Sequence, residues 1–148
     1  MNRPLLAAVL AAVVAAPVAM ALADVETIQA RQSGFRMMND SMEAIQTVVR
    51  GRGPNGQAVA PARAIAEHAP KIKALFPPGS DQGAQTRALP TVWSDRSGFE
   101  RRADALTAET QRLLAAAQGD DPAALSRALE ATGQACIACH REHRARQR

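Results

Sequence analysis

Apolar residues in this chain recur at intervals of three and four, and nowhere do they alternate one by one as a half-buried strand requires. A stripe runs through Val25, Ile28, Gln32, Phe35, Met38, Met42, Ile45 and Val49, with one polar member. It stops at Gly51-Arg52-Gly53-Pro54-Asn55-Gly56, the densest group of helix breakers in the sequence. A second, weaker helix is predicted from about Val59 to Phe76, through Ile65, Ile72 and Leu75. Pro61 suits its first turn, whereas Pro70 should kink or divide it. Pro77-Pro78-Gly79-Ser80-Asp81-Gln82-Gly83 opens a loop that lasts to about Leu89. Pro90 then fits the first turn of a third helix, with the stripe Val92 or Trp93, Phe99, Ala103, Leu106, Thr110, Leu113 and Ala117. Gly119 ends it. Asp120 or Asp121 can cap a fourth helix with Pro122 in its first turn, carrying Leu125, Leu129, Thr132, Cys136, Cys139 and His143 on one face.

Four narrow stripes joined by mostly short loops predict an all-α chain, an up-down-up-down antiparallel four-helix bundle packed near 20°. Its helices are rich in Ala, aromatic residues make up 3% of the sequence, and Tyr is absent. Such a bundle is under-filled at its centre. A flat porphyrin between the helices would occupy that volume.

The first 23 residues read as a leader. Arg3 supplies a short positive start, Leu5 to Val18 is apolar, and Ala21-Leu22-Ala23 is a small-x-small cleavage site, so the mature chain is expected to begin at Asp24. The apolar run is shorter than the roughly 20 residues a spanning helix needs, and Pro17 interrupts its end. Residues 24–148 then form one domain with no membrane attachment. Loss of Arg3 lowers the formal charge of +4 by one. The basic residues are scattered and no aromatic platform accompanies them, which argues against nucleic acid as a partner.

Two cysteines in an exported chain would ordinarily suggest a disulfide. Here they stand as Cys136-Ile137-Ala138-Cys139-His140. Covalent haem attachment needs two thiols on one face about a turn apart, and an imidazole beside the second that reaches the iron; Cys-x-x-Cys-His on a helix supplies all three. Other readings each lack a part. Structural zinc needs four ligands, and the remaining His68 and His143 form no pair at ligand spacing. A thioredoxin-type pair belongs at a helix N-terminus after a strand. A disulfide between residues three apart in a regular helix is geometrically awkward.

With that motif near the C-terminus, the sequence resembles the class II cytochromes c, specifically the cytochrome c prime family. Further marks are Arg31-Gln32 in helix one, Leu75-Phe76-Pro77 before the long loop, Pro90-Thr91-Val92-Trp93 opening helix three, and Arg144 after the haem motif. The resemblance covers nearly all of residues 25–146. It implies one haem c inside the bundle near the C-terminal helix, bound through Cys136 and Cys139 with His140 on the iron. It also implies that Arg31 and Gln32 contact the haem propionates and that Arg144 lies beside the proximal face. Without it, Arg31 and Gln32 read as solvated residues and Arg144 as part of an Arg-rich tail. Trp93 reads as a packing residue, and His68 and His143 as surface or helix-packing residues; His143 departs from the aromatic usual in the family.

The family's distal residue comes four after the helix-one Arg and is here Phe35. Phe cannot ligate iron. The resemblance therefore implies a five-coordinate haem that binds diatomic gases (nitric oxide, carbon monoxide), carries electrons with an unidentified periplasmic redox partner, or both. The alternative is a six-coordinate His/Met cytochrome of the c556 kind acting in electron transfer alone, with Met38 as the nearest thioether on the stripe. No enzymatic acid-base pair falls near Phe35. By resemblance, a homodimer through helices one and two is expected.

Overall fold

The computed structural model describes residues 5–146, with side chains from Val25 onward; residues 1–4 and 147–148 lie outside it. Arg3 and the side chains of the expected leader therefore fall outside the described residues. Helix α1 spans Leu5–Arg50. It ends in a Schellman closure: the Gly53 amide donates to Val48 O at 2.9 Å and the Arg52 amide to Val49 O at 3.2 Å. The left-handed residue of that closure is Arg52, with φ +50°, flanked by two glycines that would have adopted it more cheaply.

Helix α2 is Val59–His68, and a 3₁₀ segment, Ala69–Leu75, continues it. Pro70 sits at the start of that segment, where its missing amide forbids another α-helical hydrogen bond. The far end of the segment is closed by Arg96, which donates to Lys73 O at 2.8 Å and Phe76 O at 2.7 Å. The third helix is divided into α3, Thr91–Ser94, and α4, Arg96–Gln118. Asp95 makes the break: it leaves helical geometry and its Oδ1 accepts from the Gly98 amide at 3.1 Å, an N-cap placed inside the expected helix. A β-carbon at residue 98 would lie 2.1 Å from Asp95 Oδ2, so the cap also requires that glycine. Helix α5 is Pro122–His143, and Asp121, not Asp120, caps it through the Ala123 amide at 2.8 Å.

These pieces form a four-helix bundle of α1, α2 with its extension, α4 and α5. Among the described residues there is no strand, only an isolated antiparallel bridge between Ala88 and Arg144. Nor is any described helix long and apolar enough to cross a membrane. The predicted stripes supply the core: Ile28 and Ile45 on α1, Ile65 on α2, Phe99, Leu106 and Leu113 on α4, and Leu125 on α5 are all buried. Full burial of such side chains is worth roughly 1.5–3 kcal/mol each. All four aromatic residues gather in one cluster centred on Phe76, whose ring lies 6.3 Å from Phe35, 6.2 Å from Trp93 and 5.0 Å from Phe99.

The breaker segment after α1 does more than stop a helix. Asn55 is buried there, and its amide donates to Ala116 O at 3.3 Å, Gly119 O at 2.9 Å and Asp121 O at 3.1 Å. One side-chain amide thus ties the end of α4 to the start of α5, adding a donor to the carbonyls of that turn. Replacing Asn55 by Ala should cost about 1–3 kcal/mol in a denaturant melt, because those carbonyls lose their donor. The slope of the transition should stay unchanged, as should the absorption spectrum of the folded protein.

Candidate haem site

The helices surround a cavity of about 1080 Å3. From α5 it is lined by Cys136, Cys139, His140 and His143, with Arg144 just beyond the helix end. Arg31, Gln32, Phe35, Met38 and Met42 line it from α1, and Val92, Phe99, Ala103 and Leu106 from α3 and α4. All seven site residues picked out in the sequence therefore share one cavity. Its volume exceeds the ~300–1,000 Å3 of ordinary small-molecule clefts.

The two thiols are free and half-buried. Burial raises the pKa of Cys136, and burial followed by the neighbouring Cys136 and Glu142 pushes Cys139 up to about 11. At neutral pH both remain S–H groups, which disfavours thiolate ligation of a metal ion. Among the described residues, no three His, Cys, Asp or Glu side chains stand close enough to hold a metal between them. Burial, then Arg144 and Arg87, pushes the pKa of His140 down to about 4. Its imidazole is neutral at physiological pH and keeps a lone pair for a metal.

Arg31 differs most from its plain reading as a solvated residue. It is only 3% exposed. Its guanidinium stacks over the Phe76 ring, 4.2 Å from the centroid, and Nη2 donates to Ser80 O at 3.0 Å. Burial lowers its pKa, and Asp81 offsets part of that effect. Nη1 is buried without a partner. A cation in the wall of a large cavity with an unused donor fits a carboxylate that enters that cavity. Gln32 is exposed at the rim, where Nε2 donates to Gln85 O at 2.7 Å and ties α1 to the long loop.

Trp93 packs the loop, donating from Nε1 to Pro77 O at 2.8 Å. His143 is not a surface residue: it is 5% exposed and packs edge-on against Phe99 with ring centroids 5.5 Å apart. Its Nδ1 lies 3.2 Å from Thr91 Oγ1, whose own proton goes to Glu142 O at 2.7 Å. The threonine must accept from Nδ1, which fixes the ring. His68 lies outside the cavity and packs against Gly34, where a β-carbon would come within 2.2 Å of its ring. Two features escaped sequence reading. The loop end pairs with the chain leaving α5, through Leu89 N to His143 O at 3.0 Å and Ala145 N to Arg87 O at 2.8 Å. Ser80 and Thr86, at the ends of the loop's polar run, serve as acceptors for Arg31.

An apolar cavity of this size, two S–H groups one turn apart, a neutral imidazole beside them and an unpaired guanidinium donor together fit a covalently held haem. Comparison with known proteins agrees. The family described as Cytochrome C' matches residues 26–144. Cytochrome c' of Rubrivivax gelatinosus is 34% identical over 122 residues, covering 78% of this chain and 91% of that protein. The crystal structure of cytochrome c' from Thermochromatium tepidum superposes with a TM-score of 0.79 at 31% identity, covering 83% of this chain and 97% of that one. A nitric oxide complex of a mutant cytochrome c prime from Alcaligenes xylosoxidans superposes with a TM-score of 0.75 at 27% identity, over 84% of this chain and 97% of that one. The chain belongs to the cytochrome c prime family and is a haem c cytochrome, its single haem bound covalently.

Proposed function

We propose that the protein is an exported, periplasmic cytochrome whose haem is joined to Cys136 and Cys139 and held at its iron by His140 alone. The five-coordinate, high-spin centre then binds nitric oxide or carbon monoxide and exchanges electrons with a redox partner. Export rests on residues 1–23, with Asp24 as the first residue after cleavage. Pairing through the first two helices of the bundle belongs to the same reading.

The observation that carries it is Phe35. It lines the cavity one turn beyond Arg31, half-buried and packed towards Phe76. A phenyl ring offers iron no lone pair, and an apolar face stabilises neither water nor anions, whereas a neutral diatomic can enter once the ring moves. The nitric oxide complex of the Alcaligenes xylosoxidans protein supports the gas reading by likeness. Haem supplies the iron that binds gas or accepts an electron. The chain's own residues would orient it: Arg31 and Gln32 would hold the propionates, Val92, Phe99 and Leu106 would exclude water, and burial, then Arg144 and Arg87, keep His140 unprotonated.

A second reading has its own observation, since Met38 and Met42 also line the cavity. A thioether on the iron would close the sixth position and raise the reduction potential, leaving electron transfer alone.

Attachment is tested by mass. The mature protein should weigh residues 24–148 plus one haem, which acid-acetone does not extract, and Cys139→Ala should leave at most one thioether. His140→Ala should change the ferric spectrum even with both thioethers formed. An apoprotein with two free thiols, recovered from a host that matures c-type cytochromes, would refute the assignment.

The distal reading is tested by kinetics. Phe35→Ala should speed carbon monoxide binding by about tenfold or more, since a steric barrier of ~1.4 kcal/mol corresponds to that factor. Phe35→Met should instead slow it by closing the site. A wild-type rate unmoved by Phe35→Ala but raised by Met38→Ala would favour the second reading.

A further inference from the structure

The mouth of the cavity carries charge of one sign. Five arginines line the cavity, Arg31, Arg36, Arg87, Arg102 and Arg144, and no Asp or Glu does. Arg102 is neutralised by Glu142, in a two-point pair at 3.0 and 2.5 Å. Arg87 and Arg144 make no ion pair among the described residues. The Ala88–Arg144 bridge nevertheless brings them together, with Ala145 N donating to Arg87 O at 2.8 Å. Burial and then Arg87 lower the pKa of Arg144, as expected for adjoining cations. Arg144 faces Ala88 and Arg87 faces Ala145, so the two cations are diagonal neighbours across the bridge. Like charges this near repel, and packing alone gives no reason for them here. Two propionates would neutralise at most two of the four arginines without a carboxylate partner.

Beside them stands Ile137, between the two cysteines and 49% exposed, the exposed large hydrophobic side chain of the described residues. Arg141 follows it by one turn on the same face of α5 and is also exposed. An apolar centre flanked by unpaired cations at the rim of a cofactor cavity has the make-up of a small, transient interface.

We propose that Ile137, Arg87, Arg141 and Arg144 form the docking surface for an acidic protein that exchanges electrons with the haem. One electron passes from the reduced partner to the ferric haem, oxidising the partner by one equivalent, and no bond forms or breaks. The inference rests on the haem being held at Cys136 and Cys139. A protein fits better than an anionic membrane, because three exposed arginines fall short of the 4–8 clustered basic residues typical of lipid binding.

The test uses the ferrous holoprotein, oxidised by ferricyanide or by cationic tris(phenanthroline)cobalt(III) over a range of ionic strength. The ferricyanide rate should fall with salt. The double variant Arg87→Ala/Arg144→Ala should lower it about tenfold at low salt, flatten its salt dependence and raise the cobalt rate. Arg127→Ala, at the other end of α5, should change neither. Polyglutamate should slow ferricyanide oxidation of the wild type but not of the double variant, and Ile137→Glu, with both thioethers confirmed by mass, should weaken that competition. Unchanged rates and salt slopes in the double variant with haem intact would overturn the docking surface while leaving the haem assignment standing. Cosedimentation with phosphatidylglycerol vesicles, abolished in the double variant while polyglutamate has no effect, would replace the protein partner with a membrane. A chain without covalent haem would overturn both proposals.

Discussion

The rest of the structure is arranged around a cavity of about 1080 Å3 that the surrounding helices leave open. Protein interiors normally pack to crystal-like density, and atoms lining open space forgo their dispersion contacts on that side. This chain gathers its aromatic bulk against the cavity, with Phe35, Phe76 and Phe99 in its lining and Trp93 packed on Phe76, and buries small and aliphatic residues such as Ala117, Leu113 and Leu125 in the remaining core. The cavity is thus a recess lined in part by packed aromatic rings. Its walls hold two thiols and one imidazole on α5, while α1 contributes Arg31 and Phe35.

Arg31 links the aromatic cluster to the site. Its guanidinium lies on Phe76, the ring at the centre of the aromatic cluster, and reaches the long loop through Ser80. A buried cation is costly unless its donors are used, and here Nη1 has no hydrogen-bond partner, a donor that the proposed haem's carboxylates would take up. Arg96 has a similar architectural part on the outside, fastening the 3₁₀ segment to α4 by two carbonyls. Loop and helix ends are therefore held by arginine side chains where short backbone connections would otherwise fray.

Much of this was legible in the amino-acid order. The stripes named the core positions of α3 and α4, from Val92 to Ala117, because burial of one helix face leaves a period that sequence displays directly. That Cys136, Cys139 and His140 share the cavity was legible because the attachment chemistry proposed for them needs adjacency in sequence. What escaped depends on contacts between distant segments. Asp95 was read as one more helical residue, although Asp is among the residues that favour an N-cap position. Arg52, between two glycines, carries the left-handed conformation that either neighbour would have been expected to take. Asn55 looked like part of a breaker run, yet it satisfies carbonyls more than 60 residues away. Without the family resemblance Arg31 looked solvated, and no periodicity could show that an aromatic ring from the end of the 3₁₀ segment would lie beneath it.

The central claim is that the cavity holds a haem with His140 on one side and no protein ligand on the other. It is tested most directly by the absorption spectrum of the ferrous protein, recorded with and without carbon monoxide. An open distal face predicts a high-spin ferrous spectrum, broad in the visible region, that shifts on adding the gas to that of a low-spin carbonyl complex. A low-spin ferrous spectrum that carbon monoxide leaves unchanged would contradict the account and place a methionine, Met38 first, on the iron.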